Sequence, residues 1–223
     1  MKASNVLLVV PLVLFWSGAA RAQDPVKVDP AHYKVLIDNA SVRVLKVDYA
    51  PGAKSVMHQH PDSMVIPLSA AKVRFGMADG KSEDVEMASE SAMFTPAGTH
   101  TPTNIGAARV DAVLVEFKGA KPGTATLPTT RPNMATKTLA ESPRAVAVRT
   151  TADASFAEAA GTKHDYDQVV IALGPTPMSL SIDGKPAKTS WARGDVSFIG
   201  RGVAHESKNT SGKPVDFIIV QVK

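Results

Sequence analysis

The chain has 223 residues, with 25 Lys+Arg against 21 Asp+Glu and a formal charge of +4. Its cations are scattered among acids and only 5% of residues are aromatic, so nothing supports a nucleic-acid partner. The absence of cysteine rules out disulfides and thiolate ligands, which leaves stability to core burial.

Residues 1–22 have the pattern of a removable export signal. Lys2 is the positive start, 6–16 is an apolar run interrupted by Pro11, and Ala20-Arg21-Ala22 is a small-x-small cleavage site. The run is short for a membrane span. The expected mature chain begins at Gln23, is periplasmic or secreted, and has no membrane association after cleavage. Its formal charge falls to +2 once Lys2 and Arg21 are removed.

Strand patterns then begin, at 33–37 and at 42–49, the latter alternating as expected for one wall facing a core. Pro51-Gly52 turns the chain toward His58-Gln59-His60. Further strands are read at 65–68, 72–77 and 83–87, with a hairpin turn at 78–81. The run from Ala92 to His100 reads as a strand closed by a Pro/Gly turn, and 110–117 closes a domain. Residues 119–144 carry Pro122, Gly123, Pro128, Pro132 and Pro143 among several threonines, which predicts an extended, irregular connector. Helical signal is weak throughout, with a turn or two conceivable at 153–160.

The chain also repeats itself. His60 and His164 differ by 104 positions, as do Asp79-Gly80-Lys81 and Asp183-Gly184-Lys185, Phe94 and Phe198, and Gly98 and Gly202. After one insertion the offset becomes 105 for His100/His205, Asn104/Asn209, Val110-Asp111/Val215-Asp216 and Lys118/Lys223.

Three of the six histidines carry the clearest chemical signal. On a strand alternate side chains share a face, so His58 and His60 point the same way. His100, arriving from another strand, would complete a facial set of three nitrogens with positions left open for water or substrate. Neutral imidazole suits Zn, Cu, Fe and Ni. An isolated His-x-His is more often a surface coincidence; the second motif is what points to a metal.

Gly52-x5-His58-x-His60 and Pro96-x-Gly98-x-His100-x3-Asn104 resemble the two signature segments of the cupin superfamily. A second copy runs from Gly161-Thr-Lys-His164-Asp-Tyr-Asp-Gln168 to Gly194-x5-Gly200-x-Gly202-x2-His205-x3-Asn209, so the resemblance covers nearly all of the mature chain. It implies an all-β protein of two tandem cupin (small jelly-roll) β-barrels packed as a pseudo-dimer. The expected domains are an N-terminal barrel at 23–118 with a metal site, a linker at 119–144, and a C-terminal barrel at 145–223 with a degenerate site.

The resemblance makes His58, His60 and His100 the metal ligands. The family's carboxylate ligand would fall at Met64 or Val65, and neither is a carboxylate. That weakens oxalate oxidase and decarboxylase readings and favours the three-His cupins, among them thiol and diketone dioxygenases. The expected cofactor is a divalent transition metal drawn from Fe, Cu, Mn and Zn, with Fe or Cu favoured. Met64 is a possible additional contact, since a thioether would favour copper, or else core filling. Asp62 is either an acceptor orienting an imidazole or a turn residue. In the second copy Thr162 replaces the first His, and His164, Gln168 and His205 form at best a weak site, so that barrel is expected to bind no metal. His32 reads as a surface or packing histidine.

The function expected is oxidoreductase, dioxygenase-type chemistry on a small organic substrate; no catalytic residue beyond the ligands is assigned. The alternative is a non-catalytic exported module that captures a metal, a sugar or a small acid. Beyond the small molecule, a homodimer is the one other partner considered.

Overall fold

Alternating and continuous apolar segments make this chain a strand-former, and the computed structural model describes it over residues 23–119 and 132–223. The export segment and residues 120–131 of the connector lie outside the described residues. A short helix, α1 (Pro25–Val28), is capped by Asp24, whose side chain accepts from the Val26 amide at 2.9 Å. Nine strands follow: β1 (Tyr33–Asp38), β2 (Val42–Tyr49), β3 (His58–His60), β4 (Ser63–Pro67), β5 (Ala71–Met77), β6 (Ser82–Met87), β7 (Met93–Thr95), β8 (Gly98–Asn104) and β9 (Val110–Phe117). After the connector come β10 (Met134–Glu141), β11 (Ala145–Ala152), β12 (Asp167–Ala172), β13 (Met178–Ile182), β14 (Lys185–Lys188), β15 (Val196–Ile199), β16 (His205–Asn209) and β17 (Val215–Val222).

The sheets repeat the sequence repeat. A five-stranded sheet ordered β1-β2-β9-β4-β7 faces a smaller one ordered β3-β8-β5-β6; β10-β11-β17-β12-β15 faces β14-β13-β16 in the same way. The fold is therefore two tandem jelly-roll barrels. Their five-stranded sheets pack back to back. Val42, Val44, Met64, Ile66, Val113, Val115 and Phe117 meet Ala145, Ala147, Val169, Ile171, Ile218, Val220 and Val222 in one continuous core. Alternate residues of the same strands, such as Leu45 and Leu114, or Phe217 and Ile219, fill each barrel's interior. This double burial explains the nearly unbroken apolar runs Val110–Phe117 and Val215–Val222. It also corrects the reading of β2 as a wall with one core face, for that strand is covered on both sides.

Two further expectations change. Part of the connector is not irregular: β10 pairs antiparallel with β11 and holds in the second barrel the edge place that β1 holds in the first. Pro132 and Pro143 flank this strand and do not interrupt it. Residues 153–160 form turns and an isolated bridge, Ala157 to Lys208, with no helix.

Candidate metal centre

β3 is only three residues long, yet it does what alternation requires: His58 and His60 are buried and Gln59 between them is exposed. β3 pairs with β8 so that His58 stands directly opposite His100. The three rings lie with centroids 4.8 Å (His58–His60), 5.1 Å (His58–His100) and 5.4 Å (His60–His100) apart. One nitrogen from each falls within 4.8 Å of the others, a grouping that could hold a metal ion.

The far nitrogens are tied back. His58 Nδ1 donates to the Val56 carbonyl at 2.8 Å, and His60 Nδ1 donates to Glu116 Oε1 at 2.7 Å. Each bond fixes a tautomer that leaves Nε2 with its lone pair. Burial and the neighbouring His60 push His58 down to about 4 and His100 down to about 3, so both are neutral, as ligands must be, at pH 7. The donor set fits a borderline divalent transition metal and carries no charge of its own.

Glu116 was not anticipated. Burial acts to raise its carboxyl, and bonds from His60 and Arg43 outweigh burial and bring it below the usual range. Arg43 Nε donates to Glu116 Oε2 at 2.5 Å, and its Nη1 donates to Asp24. A line of alternating charge thus runs from the N-terminal segment to His60. The one sequence signal was a carboxylate near the end of a mainly apolar strand that also carries Asp111, and in the second barrel Gln221 replaces it. Tyr33 was also missed: its hydroxyl lies 3.0 Å from His58 Nε2, and burial holds the phenol protonated far above neutral pH. Metal ligation by His58 would exchange that bond.

At two positions the structure overturns the ligand-related alternative and keeps the other: core filling for Met64 and a turn for Asp62. Met64 is fully buried in the core between the barrels, because β4 turns Met64 and Ile66 outward and Val65 toward the interior. Its thioether therefore takes no place among the histidines. Asp62 orients no imidazole; its carboxylate accepts from the Ala97 amide at 2.8 Å, the work of a turn residue. His32 stacks on Tyr49 at 4.4 Å and pairs with Asp29, so it is a packing histidine.

His60 and His100 open onto a cavity of about 480 Å³. Its wall includes Val65, Val73, Phe75, Val85 and Leu114, with Tyr33 beside the histidines; among the described residues Glu83 is the one charged side chain and no lysine or arginine lines it. The second barrel leaves only about 40 Å³. Strand register explains the difference. Val47 opposite Ala112 corresponds to Thr150 opposite Phe217, and Ala71 opposite Met87 to Thr176 opposite Trp191. Phenylalanine for alanine and tryptophan for methionine fill the space.

In that second barrel His164 and His205 approach to 4.9 Å between ring centroids, and Gln168 lines the same small cavity as His205. Register also refines the alignment of Gln168. It pairs with Gln221 as Ser63 pairs with Glu116, so Ser63, not Met64, is its counterpart.

No protein-family model and no curated protein matches the chain. Solved structures do. AerE from Microcystis aeruginosa is similar at 13% identity, covering 86% of this chain and 97% of that one, with a TM-score of 0.61. A mutant of the salicylate 1,2-dioxygenase from Pseudoaminobacter salicylatoxidans is similar at 10% identity, covering 82% and 71%, with a TM-score of 0.60. A cupin 2 conserved barrel domain protein from Leptotrichia buccalis is similar at 10% identity, covering 86% and 88%, with a TM-score of 0.57. At such identities the likeness is one of fold.

Proposed function

We propose that this chain, a tandem cupin by its fold, is an exported metal-dependent oxidoreductase whose first barrel oxidises a small chelating organic molecule with dioxygen. His58, His60 and His100 would hold one divalent transition metal, iron or copper. The observation that carries the reading is the joining of three imidazoles, two of them tied back through Nδ1, to a cavity of about 480 Å³. When bound, such an ion supplies Lewis acidity toward a chelated substrate and a site for dioxygen.

The chain's own residues define the rest. Val65, Val73, Phe75 and Leu114 keep water from the substrate's apolar part. Because among the described residues no lysine or arginine lines the cavity, an anionic or chelating group would have to be met at the metal, whose charge a three-His shell leaves undiminished. The protonated Tyr33 hydroxyl is a donor placed beside His58 for an oxygen atom of the substrate. Dioxygenase chemistry puts both oxygen atoms into the substrate and needs no separate electron donor, which suits an exported protein. Export itself rests on residues 1–22, and the salicylate dioxygenase among the fold's neighbours supports the oxygenase reading.

The test is oxygen uptake by iron- or copper-loaded protein across a panel of small hydroxy acids and hydroxylated aromatic acids. Uptake matched to substrate consumed, and lost in His100→Ala, is the expected result. A loaded protein that binds these compounds without consuming oxygen would turn the assignment toward a capture module.

A further inference from the structure

The second barrel contains a carboxylate that the family pattern does not supply. Glu158 lies six residues before His164, outside both histidine motifs. Its amide donates to the Ser207 carbonyl at 2.9 Å, and the adjoining Ala157 bridges Lys208, so the segment is laid along β16 beside His205. Glu158 Oε2 stands 3.6 Å from His205 Nε2, and Oε1 stands 3.9 Å from His164 Nε2. Ser207 Oγ donates to Oε2. His205 Nδ1 faces the Val203 carbonyl at 3.2 Å, which leaves Nε2 as the nitrogen on the Glu158 side.

We propose that Glu158, His164 and His205 form a second divalent-cation site, of the kind that takes zinc. One nitrogen or oxygen from each lies within 4.8 Å of the others. Ligands about 2.0–2.1 Å from a tetrahedral zinc stand ~3.3 Å from one another, so the two Glu158–His pairs, at 3.6 and 3.9 Å, need shorten by only about half an ångström, and the set as a whole, held within 4.8 Å, would draw in around the ion. The independent sign is His164 Nε2, which is buried and has no hydrogen-bond partner although it faces the carboxylate. A buried polar atom left so is costly unless something completes it.

The two centres would differ in character. The first is a set of three imidazoles on a large cavity; the second includes a carboxylate and has about 40 Å³ beside it, room for water and not for an organic substrate. The second site therefore serves as a clamp, fastening the segment around Glu158 and the His164 turn to β16. It stands independently of the first-barrel assignment.

The experiment is zinc titration of chelator-stripped full-length protein, with bound metal counted by elemental analysis and cobalt(II) absorption as a second readout. Wild type should bind two equivalents, and His58→Ala, Glu158→Gln and His164→Ala one each. His58→Ala should keep a visible cobalt band that His58→Ala/Glu158→Gln loses, and zinc should raise the Tm of His58→Ala only while Glu158 is present. Wild type and Glu158→Gln each binding one equivalent, with His58→Ala binding none, would overturn this proposal and leave the first site standing. Wild type and His58→Ala each binding one, with Glu158→Gln binding none, would do the reverse. If Glu158→Gln fails to fold, the His164→Ala count decides in the same way.

Discussion

At the scale of single residues, the first barrel's site depends on what stands behind the ligands. Glu116 fixes His60 with Nε2 as its free nitrogen, and Arg43 fixes Glu116. Replacing Glu116 by Gln, the residue at the equivalent position 221, should weaken metal binding about 10- to 100-fold while leaving one site in the barrel, measured by competition with a chromogenic chelator. Proton linkage gives a second expectation. In the metal-free protein His58 and His100 titrate near 4 and 3, below the value of about 6.5 they take when unfolded. Between those values the unfolded chain binds more protons than the folded one, so stability falls as pH falls. The Tm of metal-free protein should decline from pH 6.5 toward pH 4, and His58→Ala/His100→Ala should flatten that slope. A Tm equally pH-dependent in the double variant would contradict the assignment. Of these residues, the three histidines were legible because alternation and repeat spacing are sequence properties. Glu116 and Tyr33 were not, because each reaches its histidine across the barrel from the facing sheet, and Glu158 was not, because only the docking of its loop along β16 brings it to His205.

At the scale of elements, β4 shows why a one-residue judgement about a strand matters. The family spacing put the ligand position at Met64 or Val65; the strand turns Met64 into the core between barrels, keeps Val65 toward the interior, and leaves Ser63 in register with Glu116. The strands β2 and β9 were legible to the residue, since apolar runs bounded by turn signals define them. β10 was hidden by the prolines and threonines around it, which suit an edge strand as well as a loop. The turn before β15 carries the junction of the barrels. Gly194 has φ +82°, and a Cβ there would lie 2.9 Å from Leu68 Cδ1 of the other barrel. Gly194→Ala should cost about 1–3 kcal/mol, read as a lowered urea midpoint. An unchanged midpoint would show that the barrels separate more readily than this packing implies.

At the scale of the whole molecule, duplication has produced two barrels that share a wall and have diverged inside. The shared wall is apolar, and its rim is fastened by charge: Glu90 of the first barrel accepts from Arg149 at 2.9 Å and from Arg193 at 2.8 Å. Arg193 also donates to the carbonyls of Leu68 and Leu173, one in each barrel. The two-barrel plan was legible from the repeat offsets. The difference between an open and a filled interior was not, because it rests on which side chains face inward at Ala112/Phe217 and Met87/Trp191. Ala112→Phe should transfer the filled state to the first barrel. Oxygen uptake should be lost, while metal stoichiometry at the three histidines is retained. Loss of metal together with activity would mean that the cavity and the ion are not separable in this way.

The central claim is that His58, His60 and His100 hold a transition metal. It is tested most directly by elemental analysis of untagged protein purified after native export, wild type beside His60→Ala. The account predicts that wild type carries iron or copper and that His60→Ala carries one equivalent less per chain. Equal metal content in the two proteins, or wild type that takes up no added metal, would contradict it.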